Sequence, residues 1–319
     1  MKLGFVSDSL GGLPFDAMLD HAARLGVQGV EVNTGGWSTA PHFDLAAMQS
    51  DAGKRRSFQK AFADRGLEVI ALNANGNPLH PTDPKQGICL RDTIRLAGEM
   101  GIKKVCTMSG LPEGRAGDLM PNWVVSSWPP ETQVILRYQW EERLFPFWAE
   151  IVALAKAAGV EQIALELHGN QVVYNVPSLL KLRAEVGPVV GANLDPSHLF
   201  WMGADPLIAA ETLGAAVYHV HAKDTFLNSP KQATTSLLEN GSLMDIPSRS
   251  WSYITLGFGH GEEWWRQFCY RLKMAGYDGW LSIEHEDVLL NGLEGLEKSV
   301  ALLQGVMPKA PADYAPQAI

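Results

Sequence analysis

Short runs of apolar or alternating apolar and polar residues recur along the chain: KLGFVSD (2–8), GVEVN (29–33), EVIALNA (68–74), KKVCTMS (103–109), QIALELH (162–168), VVGANLD (189–195), AVYHVHAKD (216–224) and WLSIEHE (280–286). Runs of this length and period predict strands. Between them the spacing becomes helical over roughly 14–25, 51–65, 84–100, 138–158, 177–186, 205–213, 262–275 and 292–304. In the fourth of these, Ile151, Leu154, Ala155 and Ala158 would share one helical face. The phrases LGVQG, MGIKK, AGVEQ and AGYDG each place a glycine where a helix must stop before the next strand.

Eight strand-helix units in series predict a closed (β/α)8 TIM barrel, because open doubly wound sheets more often hold five to seven strands. No linker divides the chain, so residues 1–306 read as one barrel domain and 307–319 as a C-terminal surface tail. Two stretches, 110–137 after the fourth strand and 225–261 after the seventh, are too long to be simple connections. Both leave the C-terminal ends of strands, where barrel enzymes build their sites, and read as substrate-covering or subunit-contacting loops.

Ionisable residues collect at the ends of the last four strands. The fifth carries Glu166 and His168, the sixth ends at Asp195 with His198 three residues on, the seventh carries His219, His221 and Lys223, and the eighth carries Glu284 and Glu286. Side chains two apart on a strand share a face, so these residues can converge on one barrel mouth. Crowded carboxylates are costly unless a cation, a proton or a substrate uses them. Glu166, Asp195, His221 and Glu284 form a sensible divalent-cation set: hard oxygen donors with one nitrogen suit Mn²⁺, Mg²⁺ or Co²⁺ better than the thiolate-rich surroundings of structural zinc, with catalytic Zn²⁺ left open.

ALELHGN, NLDPSHLFWMG, VYHVHAKD and LSIEHED, in this order on strands five to eight, resemble the sugar isomerase/epimerase family with the xylose isomerase-like barrel. The resemblance spans nearly the whole chain, and the D-x-x-H and H-x-K-D elements are its most specific parts. It implies one bound divalent ion, Mn²⁺ foremost, held by Glu166, Asp195, His221 and Glu284. It further implies that Glu166 and Glu284 double as the acid/base pair and that His198 contacts substrate. In such a site a cation polarises a substrate carbonyl and its neighbouring hydroxyl, the adjacent C–H becomes acidic, and one glutamate removes a proton that another returns. Return to the opposite face is epimerisation, return to the neighbouring carbon is isomerisation, and loss of a β-substituent is elimination. Glu286 could hold a sugar hydroxyl or orient His221. His168, Lys223 and His260 are further substrate-contact candidates, although a Lys223–Asp224 ion pair would equally close the seventh strand and His219 sits deep enough to be a core residue. His260 lies in GFGHGEEWW, a weak likeness to a glycine-rich nucleotide loop.

Composition narrows the partners. A net charge of −9, from 26 Lys+Arg against 35 Asp+Glu, disfavours a phosphate-backbone partner. The nuclease chemistry of a distant barrel relative would also need early-strand ligands, for which His80 is the only early histidine well placed. No apolar run approaches membrane length, and the expected setting is cytoplasmic. Cys89, Cys106 and Cys269 lack metal-site spacing and read as reduced, buried thiols. Glu262, Glu263, Glu286 and Asp287 stand where barrels often bind phosphate, which predicts an unphosphorylated sugar. Among ten tryptophans, Trp37, Trp123, Trp128 and Trp251 fall in expected loops at the strand C-terminal side and hint at a substrate larger than a triose, whereas Trp264 and Trp265 pack the seventh helix. The leading expectation is a metal-dependent sugar epimerase or isomerase acting through an enediolate. The alternatives are a metal-dependent lyase or dehydratase on a 3-keto-glycoside or inosose, and a non-catalytic sugar-binding barrel. A homo-oligomer is compatible with the sequence and not specified by it.

Overall fold

The computed structural model of the chain describes residues 1–311. Residues 312–319, most of the expected tail, lie outside the described residues. The strands are β1 (Lys2–Val6), β2 (Gly29–Asn33), β3 (Glu68–Ala74), β4 (Lys104–Thr107), β5 (Gln162–Glu166), β6 (Val190–Leu194), β7 (Val217–Ala222), β8 (Asp224–Leu227), β9 (Trp251–Ile254) and β10 (Trp280–Ile283). Eight of them close a parallel barrel in the order β1-β10-β7-β6-β5-β4-β3-β2, while β8 and β9 pair apart from it as an antiparallel hairpin. Closure runs from Lys2 opposite Trp280 to Phe5 opposite Ile283, which sets Glu284 at the rim beside the first strand.

Around the barrel lie α1 (Phe15–Leu25), α2 (Leu45–Ser50), α3 (Ala52–Ala63), α4 (Lys85–Glu99), α5 (Glu131–Tyr138), α6 (Phe145–Ala158), α7 (Val176–Val186), α8 (Pro196–Met202), α9 (Pro206–Leu213), α10 (Ser229–Thr235), α11 (Glu262–Met274) and α12 (Gly292–Val306). The core between strands and helices is large; Phe62, Trp148, Trp265 and Phe268 are fully buried there. A burial of this kind contributes on the order of 25 cal/mol per Å² of apolar surface, so the wall is well supported without the site. Gly26, Gly101, Gly159 and Gly276 all have positive φ, the conformation that lets each chain segment leave a helix and enter the next strand. All three cysteines are free, with Cys106 and Cys269 buried and Cys89 half-buried.

Inside the barrel the fill changes with height. Ile70, Ala71, Cys106 and Ala164 form a small apolar plug. Gly191 is required beneath it, because a Cβ there would lie 2.4 Å from the Tyr218 ring. Above the plug the inward residues are polar: Glu31, Asn73, Asn193, His219, His221 and Ser282 are all buried.

Three regions differ from expectation. The run 216–224 is not one strand: β7 ends at Ala222, and from Asp224 the chain pairs with β9 instead. Asp224 drives the break, since its carboxylate accepts the N–H groups of Thr225, Gly257, Gly259 and His260 and so gathers the following loop. The helix expected from 138 begins at Glu131, and a single π turn over Gln139–Leu144 joins α5 to α6. Pro146 in the first turn of α6 has no N–H to give, which accounts for the shifted bonding. Finally, a helix that was not expected, α8, follows directly on β6, so the D-x-x-H element is a helix start.

Candidate metal centre and active site

Glu166 closes β5, Asp195 follows β6, His221 lies on β7 and Glu284 follows β10; their ligating atoms all lie within 4.8 Å of one another. The local fold explains why Asp195 faces inward. It caps α8, with Oδ1 accepting the Ser197 N–H at 2.8 Å and Pro196 at the first helical position, which leaves Oδ2 free to point elsewhere. The same turn throws His198 over Glu166, to which its Nε2 donates at 2.9 Å, while Nδ1 accepts the Tyr253 hydroxyl at 3.0 Å. The other Glu166 oxygen accepts from Asn75.

Two donor atoms of the set are buried without a hydrogen-bond partner: Asp195 Oδ2 and His221 Nδ1. The carboxylate oxygens nearest to His221 Nδ1, on Glu284 and Glu166, stand at 3.4 and 3.6 Å, too far for a good hydrogen bond. Buried polar atoms are rarely left so, and a lone pair on each, aimed at a shared point, fits a cation. The donor chemistry, three carboxylates and one imidazole, fits a divalent ion.

His221 is fixed from behind by a residue that the sequence reading passed over. Glu31, at the middle of β2, is fully buried and lies 3.1 and 3.2 Å from His221 Nε2, which donates to it. Its carboxylate also accepts from His219 Nε2 at 2.7 Å, Asn73 Nδ2 at 2.7 Å and the Ser282 hydroxyl at 2.7 Å. With Nε2–H committed to Glu31, Nδ1 presents its lone pair to the site. The available signal was a lone charged residue between two valines in GVEVN. The orienting role considered for Glu286 is therefore held by Glu31, because Glu286 stands across the mouth bound to Lys223 at 2.6 Å.

Lys223 does not pair with Asp224. It reaches Glu284 at 2.9 Å and Glu286 at 2.6 Å, lies over the Tyr253 ring at 4.2 Å, and approaches Asp195 at 3.9 Å. Asp224 instead binds His260 Nδ1 at 2.7 Å, and the His260 ring stacks on Phe200. His260 is thereby held in the loop framework and lines neither of the cavities at the mouth. His168 packs on His198 with ring centroids 4.0 Å apart, and Trp37 meets His168 edge-on at 5.6 Å. His285 turns away from the site and bonds the Leu290 carbonyl at 3.1 Å. His80 accepts backbone N–H groups of the turn before α4 and belongs to no cluster of metal-ligating groups among the described residues.

Above the four donors lies an inner chamber of about 280 Å³ lined by Glu166, Glu284, Lys223, Asp8, Asn33 and Asn75 among others. An outer chamber of about 920 Å³ shares Trp37, His168 and Glu286 with it and is walled by Trp123, Trp201, Trp251 and Tyr253. Trp201 and Trp251 stack at 4.8 Å, and neither Trp201 nor Tyr253 was singled out in the sequence. Trp251 sits in β9 rather than in a loop, and Trp128 is exposed and lines neither chamber.

The electrostatics are those of a site with surplus negative charge. Burial, then the Glu284 charge, raises the Glu166 carboxyl above its usual range. Burial pushes Asp195 up to about 8, against the pull of Lys223. Burial would raise Glu284 too, but Lys223 and His221 outweigh it and hold this carboxyl well down. Burial disfavours charge on His221, yet Glu31 and Glu284 raise it far above the ordinary imidazole range. The field that favours a proton at Nδ1 favours a cation in the same place. Burial holds His198 well below its ordinary value and His168 at about 3, so both rings stay neutral hydrogen-bonding groups.

A family profile described as "Xylose isomerase-like TIM barrel" matches residues 19–306. The chain belongs to this family. The xylose isomerase-like barrel is also the fold of its structural neighbours, each under 20% identical: the probable 3-DHS dehydratase AsbF of Bacillus anthracis (TM-score 0.67, 17% identity, 95% of this chain and 99% of that one), IolI with a bound zinc atom (0.65, 17%, 96% and 98%) and a D-tagatose 3-epimerase-like protein (0.63, 19%, 96% and 98%). At such identities they speak for the fold alone. A family relative much nearer in sequence is the Bacillus subtilis (strain 168) uncharacterized protein YfiH, 46% identical over 310 residues that cover 95% of this chain and 98% of YfiH. The barrel carries buried clusters of Glu, Asp and His able to hold a metal. Among the described residues no helix is long and apolar enough to cross a membrane.

Proposed function

We propose that the protein is a divalent-metal-dependent sugar epimerase or isomerase that acts on an unphosphorylated ketose or keto-sugar, with Mn²⁺ as the foremost candidate ion. The observation that carries this reading is the convergence of Glu166, Asp195, His221 and Glu284 beneath a small polar chamber, with Asp195 Oδ2 and His221 Nδ1 unpartnered. These four residues would hold the ion, which supplies Lewis-acid polarisation of a carbonyl and its neighbouring hydroxyl. Glu166 and Glu284 flank the point where the acidified carbon would lie, and one accepts the proton that the other returns. His198 steadies Glu166 through its 2.9 Å hydrogen bond, and Lys223 keeps Glu284 ionised and able to accept.

The chamber wall supports a polyol. Asp8, Asn33, Asn75, His168 and Glu286 offer donors and acceptors for hydroxyls, and Trp37 offers a flat apolar edge. It does not favour a phosphate, because Lys223 is already paired with Glu284 and Glu286; Glu262 and Glu263, expected to repel one, are instead turned to Arg266 and line neither chamber. A second reading is β-elimination by the same groups from an inosose or a keto-glycoside, and the size of the outer chamber favours the keto-glycoside.

The test is metal content by inductively coupled plasma mass spectrometry on the parent and on Glu284→Gln, followed by nuclear magnetic resonance of free ketohexoses and inosose in D₂O with the loaded enzyme. Near-stoichiometric metal lost in the variant, together with deuterium appearing in an epimerised or isomerised product, supports the leading reading. A dehydrated or cleaved product selects elimination. Absence of metal after incubation with Mn²⁺ would remove the proposal.

A further inference from the structure

We infer that the outer chamber is a second binding subsite, built for a flat, apolar-faced ring covalently attached to the sugar that occupies the inner one. The inference rests on the reading of the inner chamber as the keto-sugar site and adds the substrate class: a keto-sugar that carries a second ring in glycosidic linkage, rather than a free monosaccharide.

Size is the first argument. The inner chamber, about 280 Å³, lies just under the lower end of ordinary ligand pockets, whereas the outer one, about 920 Å³, lies near the top. A single hexose above the four donors would leave most of the mouth unused. Continuity is the second argument, since Trp37, His168 and Glu286 belong to both linings and a ligand can pass between them without crossing a wall.

The chemistry of the wall is the third. Trp201 and Trp251 stack nearly parallel, at 5°, and Trp123 stands edge-on to Trp201 at 6.3 Å. Tyr253 extends the surface at 5.3 Å from Trp251 and also holds His198, so the outer wall touches the inner site directly. This aromatic group is fixed before any ligand arrives. A Cβ on Gly169 would fall 2.3 Å from Trp201, so only glycine lets that ring lie against the β5 loop. Arg249 lies over Trp251 at 4.6 Å and donates to the Trp251 and Gly241 carbonyls, which locks the loop that carries the stack. Trp201 and Trp251 cover one another and are buried, so they back the wall, and the aromatic surface open to a ligand is that of exposed Trp37 with half-buried Trp123 and Tyr253. Preordered surfaces of this kind suit either an aryl group or the apolar face of a second sugar.

The two long loops are thereby explained. Trp123 comes from the stretch after β4, and Trp251 and Tyr253 come from the hairpin after β7, so both long stretches contribute to the outer wall.

The experiment compares phenyl β-D-glucoside, cellobiose and methyl β-D-glucoside by saturation-transfer nuclear magnetic resonance titration on the Mg²⁺-loaded enzyme. The same titrations are run on Trp123→Ala and Trp37→Ala, two positions whose side chains are less deeply packed than Trp251. Expected is binding of the phenyl glucoside or cellobiose about tenfold tighter than the methyl glucoside, with the advantage lost in Trp123→Ala and the methyl glucoside affinity unaltered there. A preference for phenyl glucoside alone identifies an aryl aglycone, and an equal preference for cellobiose identifies a sugar. Equal affinity of all three for the parent enzyme overturns the inference, whatever the variants do. Failure of the metal reading shows separately, as absence of metal in the parent, and a ring preference that persists in metal-free protein would uphold the outer subsite without it.

Discussion

Two buried clusters of carboxylate and imidazole lie one above the other in the barrel, and they differ in how they are satisfied. In the lower one, Glu31 accepts from Asn73, His219, His221 and Ser282, so the protein itself answers the carboxylate charge, and His219 Nδ1 is the atom left without a partner. In the upper one, Asp195 Oδ2 and His221 Nδ1 have no partner, and three carboxylates share Lys223 and a half-answered imidazole. His221 belongs to both, with Nε2 committed below and Nδ1 open above. On the proposed reading the lower cluster belongs to the framework and the upper one takes the ion. The contrast also explains why a barrel spends buried charge below the site, since a ligand imidazole is only as well placed as the group behind it.

The comparison breaks most severely if the upper cluster is edited. Asp195→Asn and Glu284→Gln should lose stoichiometric metal and lower turnover by about 10²–10⁴-fold while the circular dichroism spectrum stays native. Full metal retention in both would mean that the upper cluster is not a cation site. Glu31→Gln attacks the lower cluster: we expect loss of about 3 kcal/mol in a denaturant titration, because the negative charge goes and one of the two acceptor oxygens becomes an N–H₂ that faces donors, and metal affinity weakened about 10–100-fold with every proposed ligand in place. Unchanged metal affinity would reduce Glu31 to a purely structural group.

A gentler probe leaves the sequence alone. Mn²⁺ at a hundredfold excess over its dissociation constant should stabilise the parent by about 2.7 kcal/mol, seen as a rise in thermal midpoint, and should do nothing for Asp195→Asn. The smallest effect concerns the loop that covers the site. Asp287 accepts the Thr255 N–H at 2.9 Å and its hydroxyl at 2.8 Å, tying β9 to the end of β10. Burial would raise this carboxyl, but those bonds and the Leu289 and Leu290 N–H groups outweigh it and hold it below its ordinary value. A depressed folded value means that its stabilisation is complete above an unfolded value of about 3.9 and fades as pH falls through the folded one. Asp287→Asn should therefore flatten the acid side of the stability profile below about pH 4, and an unchanged profile would show that the tie contributes nothing.

Much of the barrel was legible because period is a local property. KLGFVSD and WLSIEHE could be named as strands without knowing that Phe5 would lie opposite Ile283. The donors at strand ends were legible for a related reason: in a closed parallel barrel every strand end faces the same mouth, so chain position translates into place. Glu31 was not legible in this way. It lies 188 residues from His219 and 251 from Ser282, and nothing in GVEVN tells which residues stand across the barrel from it. The strand expected over 216–224 failed for the converse reason, since its period continues through Lys223 while the side chain of Asp224 pulls the backbone into a hairpin.

The sequence alone determined the eight-unit alternation, the helix ends at glycines, and the residue types carried at each strand end, because these follow from backbone preference and side-chain period within a few residues. The tertiary structure alone decided which partners those residues take. It committed His221 to Glu31 rather than to Glu286, gave Lys223 to Glu284 and Glu286 rather than to Asp224, moved His260 out of the mouth, and assembled the aromatic wall from α8, β9 and the stretch after β4. Such choices depend on distance across the barrel and on the cost of leaving buried charge unanswered, and neither can be read along a chain.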